Sequence, residues 1–516
     1  KSTGTPTLGL GVTINSSGVK VSGVLTATTL YGDGSNLTGV GDTIAPHYYN
    51  PDVNAPKAPV ATGIGITFNK KVVAGSGTAT LKIVNAGAAG TTIQSWGVSS
   101  CTFGVTDVTF GSLVSDLIIN QTYQVDIPAT FVDDSAGSSY VGTAWTFTSQ
   151  PASMYLFAWG HNQVGQLGQS QAEAAKRSSP VQIPGQDWSN FTGDYLNSKH
   201  SILTKNDGSL WSWGSNENGE LGLSSKDDDR SSPVKIGSGT DWANASNAHL
   251  ASYAIKTDGT FWAFGSNAQG NLGQSSTIYY SSPTQIPGTT WSKVSGGYTH
   301  VAAVKTDGTL WTWGQGNLGA LGVPSLGQAS RSSPIQVPGT TWRSVSTGNH
   351  STYATKTNGT LWAWGYNASG QLGDNNVTSN SSPVQIPGTS WSALVNAGYY
   401  QAYATKTDGT FWSWGQNNYG SLGQNVNGTP GTRSSPVQVP GTTWPTTQGM
   451  LSSGNYANIA VKTDGTMWGW GLNHQGQLGQ NSKTYYSSPI QIPGTLWQSC
   501  SLNTETAFAT QEDTTP

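Results

Sequence analysis

The sequence predicts an all-β protein: a closed ring of seven four-stranded antiparallel sheets, a seven-bladed β-propeller, preceded by a β-sandwich and a short β-rich N-terminal segment. Three observations lead there. An aromatic-glycine pair recurs at Trp159-Gly160, Trp213-Gly214, Phe264-Gly265, Trp313-Gly314, Trp364-Gly365, Trp414-Gly415 and Trp470-Gly471. The intervals run from 49 to 56 residues, so one structural unit has been copied many times. Just before each pair, bulky residues alternate with other residues, as in Leu310-Trp311-Thr312-Trp313, which puts Trp311 and Trp313 on one face of a strand. The first 150 residues lack this grammar and instead carry short alternating apolar segments between Gly, Asn and Ser turns.

Within each copy the landmarks keep one order. After the aromatic-glycine pair comes Gly-x-Leu-Gly, from Gly165, Leu167 and Gly168 in the first copy to Gly476, Leu478 and Gly479 in the last. Ser-Ser-Pro follows, ending at Pro180, Pro233, Pro283, Pro334, Pro383, Pro436 and Pro489. A lone Trp comes next, at Trp188, Trp242, Trp291, Trp342, Trp391, Trp444 and Trp497. A Lys-x-Asp/Asn-Gly turn then completes the unit at Asp207, Asp258, Asp307, Asn358, Asp408 and Asp464. Asp-Gly between apolar runs is a hairpin signal because Gly tolerates positive φ. Proline at the start of the Ser-Ser-Pro-Val-Gln-Ile strand lacks an amide donor, which suits a sheet edge. Four strands per copy result: Trp-x-x-Val, His/Ala-Val-Lys, Leu-Trp-x-Trp and Pro-Val-Gln-Ile.

A lone sheet of this size cannot bury both faces, and such sheets stack radially as propeller blades. The turn occurs six times where the other landmarks occur seven times, which locates the seam. Residues 154–159 match a third strand and residues 506–513 a second, so the last blade is expected to take two strands from each end of the ring.

On these residues, over about 154–513, the chain resembles the regulator of chromosome condensation repeat family, whose members form seven-bladed propellers. The resemblance implies fold more than function, since members include a chromatin-associated nucleotide-exchange factor, a plant ultraviolet-B photoreceptor and a secreted β-lactamase inhibitor. The photoreceptor's Gly-Trp-Arg-His-Thr motif is absent here, and the paired tryptophans read as packing anchors.

Residues 46–150 carry Ile64-Gly-Ile66-Thr-Phe68, Ala79-Thr-Leu81-Lys-Ile83, Tyr123-Gln-Val125-Asp-Ile127 and Trp145-Thr-Phe147, six or so strands of an antiparallel sandwich. With Pro51-Asp52 opening it, this stretch resembles the Ig-like domains of bacterial surface-layer and adhesion proteins. Residues 1–45 have too few apolar side chains to fold alone, which implies association with other chains or copies of itself. Their Gly23-Val24 and Thr26-Ala-Thr-Thr-Leu30-Tyr-Gly-Asp33-Gly-Ser-Asn-Leu37-Thr-Gly-Val40 resemble a segment of virion structural and fibre-like proteins of tailed phages, notably those of marine cyanobacteria. The expected domains are therefore 1–45 for attachment and oligomerisation, 46–150, the propeller over 151–513, and a tail at 514–516.

Charged residues make up 9% of the chain, with 23 Lys and Arg against 26 Asp and Glu. There is no basic footprint for a phosphate backbone, so nucleic acid is not an expected partner. Cys101 and Cys500 lie in different predicted domains and indicate neither a disulfide framework nor a zinc site. No apolar run approaches the roughly 20 residues that span a bilayer, and no signal peptide is visible. The chain begins at Lys1, and an upstream part removed or absent is expected, which leaves secretion open.

Among candidate chemical groups, His200, His249, His300 and His350 do not share one repeated spacing from the turn, so structural roles are expected rather than a metal ring. The Asp227-Asp228-Asp229 run lacks the Gly and distal Glu of a calcium loop and reads as a solvated loop, as does Asp133-Asp134. No nucleophile elbow, phosphate loop or zinc-protease helix occurs, and no catalytic residue, metal or cofactor is expected. Lys205, Lys256, Lys305, Lys356, Lys406 and Lys462 precede the hairpin turns and should form a rim on one face. That rim has two readings: a weak anion-binding ring, or solubilised strand ends.

The expected function is a non-enzymatic, fibre-like virion protein displayed on the particle surface. It joins other virion proteins through residues 1–45, as a homo-oligomer and by analogy a trimer, and presents the propeller to a host-surface glycan or protein. The alternative is a secreted or surface-attached bacterial protein whose propeller binds another protein.

Overall fold

The computed structural model describes residues 12–15, 18–21, 46–50, 55–59, 64–68, 71–85, 88–104, 106–113, 122–133, 140, 142–150, 154–170, 176–189, 191, 198–426, 428, 431–447 and 449–512. Most of the 1–45 segment lies outside them. Within it, Val12–Asn15 and Gly18–Val21 pair as an antiparallel hairpin.

The chain divides into two units, one over most of the first 148 residues and one carrying the remainder. In the first, Pro46–Asn50, Gly65–Phe68, Asp107–Thr109 and Thr102–Phe103 form one sheet. Ala55–Pro59, Thr143–Gln150, Thr122–Ile127, Thr78–Asn85 and Ala88–Gly97 form the other. The alternation read from the sequence is the alternation of burial: Ile66 and Phe68, Ala79 and Leu81, and Tyr123, Val125 and Ile127 all point inward. Trp96, Phe110 and Phe131 pack in sequence at centroid distances of 5.2 and 5.8 Å, and the Trp96 indole donates to Gly111 O at 2.9 Å. The sandwich has more strands than the expected six, because short pairs such as Val73–Ala74 with Val132–Asp133 carry too little periodicity to register.

The second unit is the ring. Numbered from Trp188, blades 2 to 6 are four-stranded antiparallel sheets in chain order. Blade 1 shows three strands and a bridge between Trp188 and Lys205. Blade 7 is the seam. Trp497–Leu502 and Thr506–Glu512 come from one end of the ring, Met154–Gly160 and Arg177–Gln182 from the other. Met154 pairs with Glu512 and Gly160 with Thr506 in unbroken register, as the six-against-seven count requires.

The strands led by the lone Trp contact their counterparts in neighbouring blades and so form the innermost layer. This layer is joined by hydroxyls rather than charges. Ser295 Oγ accepts Thr347 N, Ser346 Oγ accepts Ala397 N, and Ser452 Oγ accepts Leu502 N, each at 2.9 Å and each between adjacent blades. Ser and Thr thus satisfy buried amides without the cost of desolvating an ion, which accounts for a chain so poor in charge.

The aromatic-glycine pair pins blades together. The Trp159, Trp213, Trp313, Trp364, Trp414 and Trp470 indoles each donate across to a carbonyl of the preceding blade at 2.8–3.0 Å. Trp159 reaches Gln477 O and so closes the circle. In Gly-x-Leu-Gly, the first Gly lies against the Ser-Ser-Pro strand of the next blade: a Cβ on Gly270 would sit 2.6 Å from Ser332 Cα. Just beyond it, Ser275 N donates to Ser332 O at 2.7 Å, and the same clasp ends the ring as Asn481 N to Ser178 O. Pro324 occupies this position after Gly322 and has no N–H to give.

One expectation is corrected. The Ser-Ser-Pro strand starts before its proline, at Tyr280 in Tyr280–Ile286, so Pro283 is interior to it. The strand is the sheet edge, and its register breaks there: Ala263 faces Thr284 while Gly265 faces Tyr280. The bulge removes the need for the missing donor.

Candidate binding face

Antiparallel order sends the blade loops to two ends. The Lys-x-Asp-Gly hairpins lie at one end of the ring. At the other lie the loops between first and second strands and those between third and fourth.

At the hairpin end each lysine is clamped by its own blade. Lys305 Nζ sits 4.6 Å from the Trp291 ring and 4.7 Å from Trp311. Lys205, Lys256, Lys356, Lys406 and Lys462 repeat this between the lone Trp and the first Trp of Leu-Trp-x-Trp or its equivalent, at 4.4–5.2 Å. The second indole is itself fixed: Asp307 Oδ1 accepts Thr309 N and Oγ1, and Thr309 Oγ1 accepts Trp311 Nε1 at 3.0 Å. These hydrogen bonds hold the Asp307 carboxyl below the usual carboxylate range. The six lysines therefore share one end of the ring, each ammonium resting on two indole faces as a cation–π pair. In blade 7 the equivalent positions hold Gln511 and Phe157.

The opposite end is where the copies differ. The first residue of every second strand pairs with the Gly of an aromatic-glycine pair: His200, Ala251, His300, Ser351, Gln401, Ala457 and Thr506. The two residues before it vary from copy to copy, and no two copies carry the same pair. They are Ser198 and Lys199, His249 and Leu250, Tyr298 and Thr299, Asn349 and His350, Tyr399 and Tyr400, Asn455 and Tyr456, Thr504 and Glu505.

Five of these join into an aromatic chain. His249 stacks on Tyr298 at 4.3 Å, Tyr298 meets Tyr399 at 6.4 Å, and Tyr399 meets Tyr400 at 4.5 Å and Tyr456 at 6.4 Å. From the longer loops, Tyr366 packs on Tyr400, and Tyr419 bridges Tyr456 to Tyr485. Tyr419 and Tyr485 are 43% and 45% exposed, so the chain ends in solvent. Burial and neighbouring phenols push the Tyr399 hydroxyl upward, so it stays a neutral donor.

At the seam the same face holds a cavity of about 470 Å³, lined by His161, Gln163, Lys199, Glu217, His249, Glu505 and others. Glu505 Oε1 lies 2.8 Å from His474 Nε2, and its Oε2 lies 3.8 Å from His161 Nδ1. Gln166 Nε2 reaches the same His161 nitrogen at 3.2 Å. Burial lowers the His161 pKa against the pull of Glu505, and burial with Lys199 lowers that of His249.

His200 and His300 do not belong to this site. Both are fully buried, and their Nε2 atoms meet Ser252 Oγ and Thr352 Oγ1, each at 2.8 Å, in the next blade. Burial depresses both to about 3, so they remain neutral. Among the Asp run, Asp228 is bound by Ser225, Asn216 and Arg230, and Asp229 accepts Asn216 N. Those carboxylates shape their own loop. Cys101 and Cys500 are free thiols, and the described residues bring no three His, Cys, Asp or Glu side chains together for a metal. Sequence reasoning passed over His161, His474, Glu505 and the tyrosines, although the two changing positions in a constant frame were visible as such.

Comparison with known proteins agrees with this architecture. A model of the RCC1-like domain matches residues 155–509, and one of the bacterial Ig-like domain matches residues 42–149. The regulator of chromosome condensation of Xenopus laevis is 26% identical over 151 residues, 28% of this chain and 34% of that protein. The probable E3 ubiquitin-protein ligase HERC6 of Homo sapiens is 30% identical over 128 residues, 24% of this chain, and the match spans only 12% of that protein. Among solved structures, yeast RCC1 bound to Kap60 and human WBSCR16 each superpose with a TM-score of 0.60 over 70% of this chain, covering 90% and 100% of theirs. Their identities of 17% and 18% speak for fold alone. Matched over residues 155–509, well over half its length, the chain belongs to the family of RCC1-like domain proteins.

Proposed function

We propose that this chain is a non-enzymatic, fibre-like virion protein of a tailed phage whose propeller captures a host-surface glycan or protein on the loop end of the ring. The carrying observation is the division of labour within the repeat. A constant frame of tryptophans, glycines and serines holds two changing positions per blade, and these supply an aromatic chain beside a polar cavity. Tyrosines that are fixed by packing give large contact area at little entropic cost, which suits recognition. The lysines at the other end serve the ring itself.

The virion setting is supported by the phage-like motif of residues 26–40, which also makes residues 1–45 the contact to other virion proteins and the seat of self-association. The Ig-like unit serves as spacer. Mass spectrometry of purified particles tests this placement: the chain is expected among the structural proteins, and its absence removes the virion role. The bacterial Ig-like match over residues 42–149 favours a second reading, a bacterial surface protein that binds another protein. Recovery of the chain from a bacterial envelope rather than from particles selects that reading.

A further inference from the structure

The seam cavity differs in chemistry from the aromatic chain that runs away from it. Its lining mixes acceptor-only groups, the Glu217 and Glu505 carboxylates, with a donor-only group, Lys199, and with the two-way amide of Gln163. Leu250 is its aliphatic member. Carbon atoms of these residues supply apolar surface between the polar groups. An anion meets two carboxylates, and a cation meets Lys199, whose charge His161 and His249 already feel.

A neutral polyhydroxylated ring suits all of these groups at once, because each hydroxyl both donates and accepts. Volume agrees: about 470 Å³ lies within the roughly 300–1,000 Å³ of small-ligand sites. The exit agrees too. His249 lines the cavity and stacks on Tyr298, from which Tyr399 and Tyr456 continue. A chain of rings leaving the cavity would meet one aromatic face after another.

We infer that the seam cavity binds a terminal neutral sugar of a glycan, with the following sugars laid along the His249–Tyr298–Tyr399 aromatics. This rests on the loop end being the binding face and names its ligand class. Glu217 and Glu505 accept from ring hydroxyls, Lys199 donates, and His249 supplies the first stacking surface.

The test applies the full chain to an array of neutral, sialylated and sulfated oligosaccharides, with whole host cells in parallel. Binding to a neutral subset is expected, weakened roughly tenfold or more by Glu217→Ala or Lys199→Ala, since each removes a hydrogen bond to a charged group. Glu217 is exposed, so its loss does not endanger the fold. Binding confined to sialylated or sulfated glycans overturns the inference, as does neutral-glycan binding unchanged in both variants. A chain that coats cells yet binds no glycan on the array overturns the sugar cavity and leaves the loop-face reading standing. Failure on both overturns both.

Discussion

Glu220 places a carboxyl group where three of its siblings carry Gln. Its counterparts Gln166, Gln371 and Gln477 each accept, through Oε1, the N–H two residues upstream at 2.8–2.9 Å. Glu220 makes the same contact, Oε2 to Asn218 N at 2.6 Å, and Oε1 accepts Ser215 Oγ at 3.2 Å. It is fully buried. Burial raises its pKa from 4.5 to about 7, against the opposing pull of those hydrogen bonds. Between these values the folded protein holds a proton that the unfolded chain releases, so the contribution of Glu220 to stability is greatest below pH 4.5 and falls as pH rises from there through 7. At about 1.4 kcal/mol per unit, the penalty levels off near 3 kcal/mol at pH 8 and is under about 1 kcal/mol at pH 5. Glu220→Gln restores the sibling side chain, which keeps the Asn218 contact and offers an amide to Ser215. The variant is therefore expected to be more stable than the parent by about 3 kcal/mol at pH 8, with most of that gain gone at pH 5. For a ring of roughly 360 residues this is about 4 °C in Tm. Calorimetry at the two pH values is the assay. A Tm difference that does not change with pH, or a variant less stable at pH 8, refutes the reasoning, because either result means that the carboxylate is held comfortably as an ion.

Other consequences are as direct. Removing residues 506–516 takes the partner strand from Met154–Gly160, so hydrogen exchange is expected to show lost protection there and a less stable ring; unchanged protection at 154–160 contradicts the seam. Lys256, Lys305 and Lys356 changed together to Gln are expected to cost about 1 kcal/mol each in urea unfolding, from lost cation–π contacts, with cell adsorption intact; reduced adsorption by a folded variant gives the rim an anion-binding role. Trp313→Phe removes the indole bond to Asn271 O, a carbonyl that Tyr253 Oη also serves. The expected loss is about 1 kcal/mol, since Phe264 already fills that position in blade 2, and a loss several times larger means that the indole carries packing that Phe cannot supply.

How far the sequence could be read follows from the repeat. Landmarks copied seven times average out local ambiguity, so strand order, the seam and the edge position of the Ser-Ser-Pro strand were all legible. The interior place of Pro283 was not, because a bulge depends on the partner strand. The lysines illustrate a different limit. Their recurrence was plain, yet recurrence does not say what a side chain touches, and the place of Lys305 between Trp291 and Trp311 could not be read from it. His161, His474 and Glu505 meet across the seam from opposite ends of the ring, and no local window contains them. The tyrosines were within reach: a position that varies among the copies of an otherwise fixed unit, as at His249, Tyr298 and Asn349, is free of the frame and open to recognition. The short hairpins of the sandwich unit, with no repeat to reinforce them, stayed below notice.

The central claim is that the loop end of the ring binds a host surface. Cells of the host are incubated with the purified full chain, with Tyr399→Ala/Tyr456→Ala, and with the triple lysine variant, and the bound fraction is read by flow cytometry. The account predicts that the parent and the lysine variant coat cells alike, while the double tyrosine variant, folded by circular dichroism, loses most of its binding. Full binding by the tyrosine variant, or loss confined to the lysine variant, contradicts it.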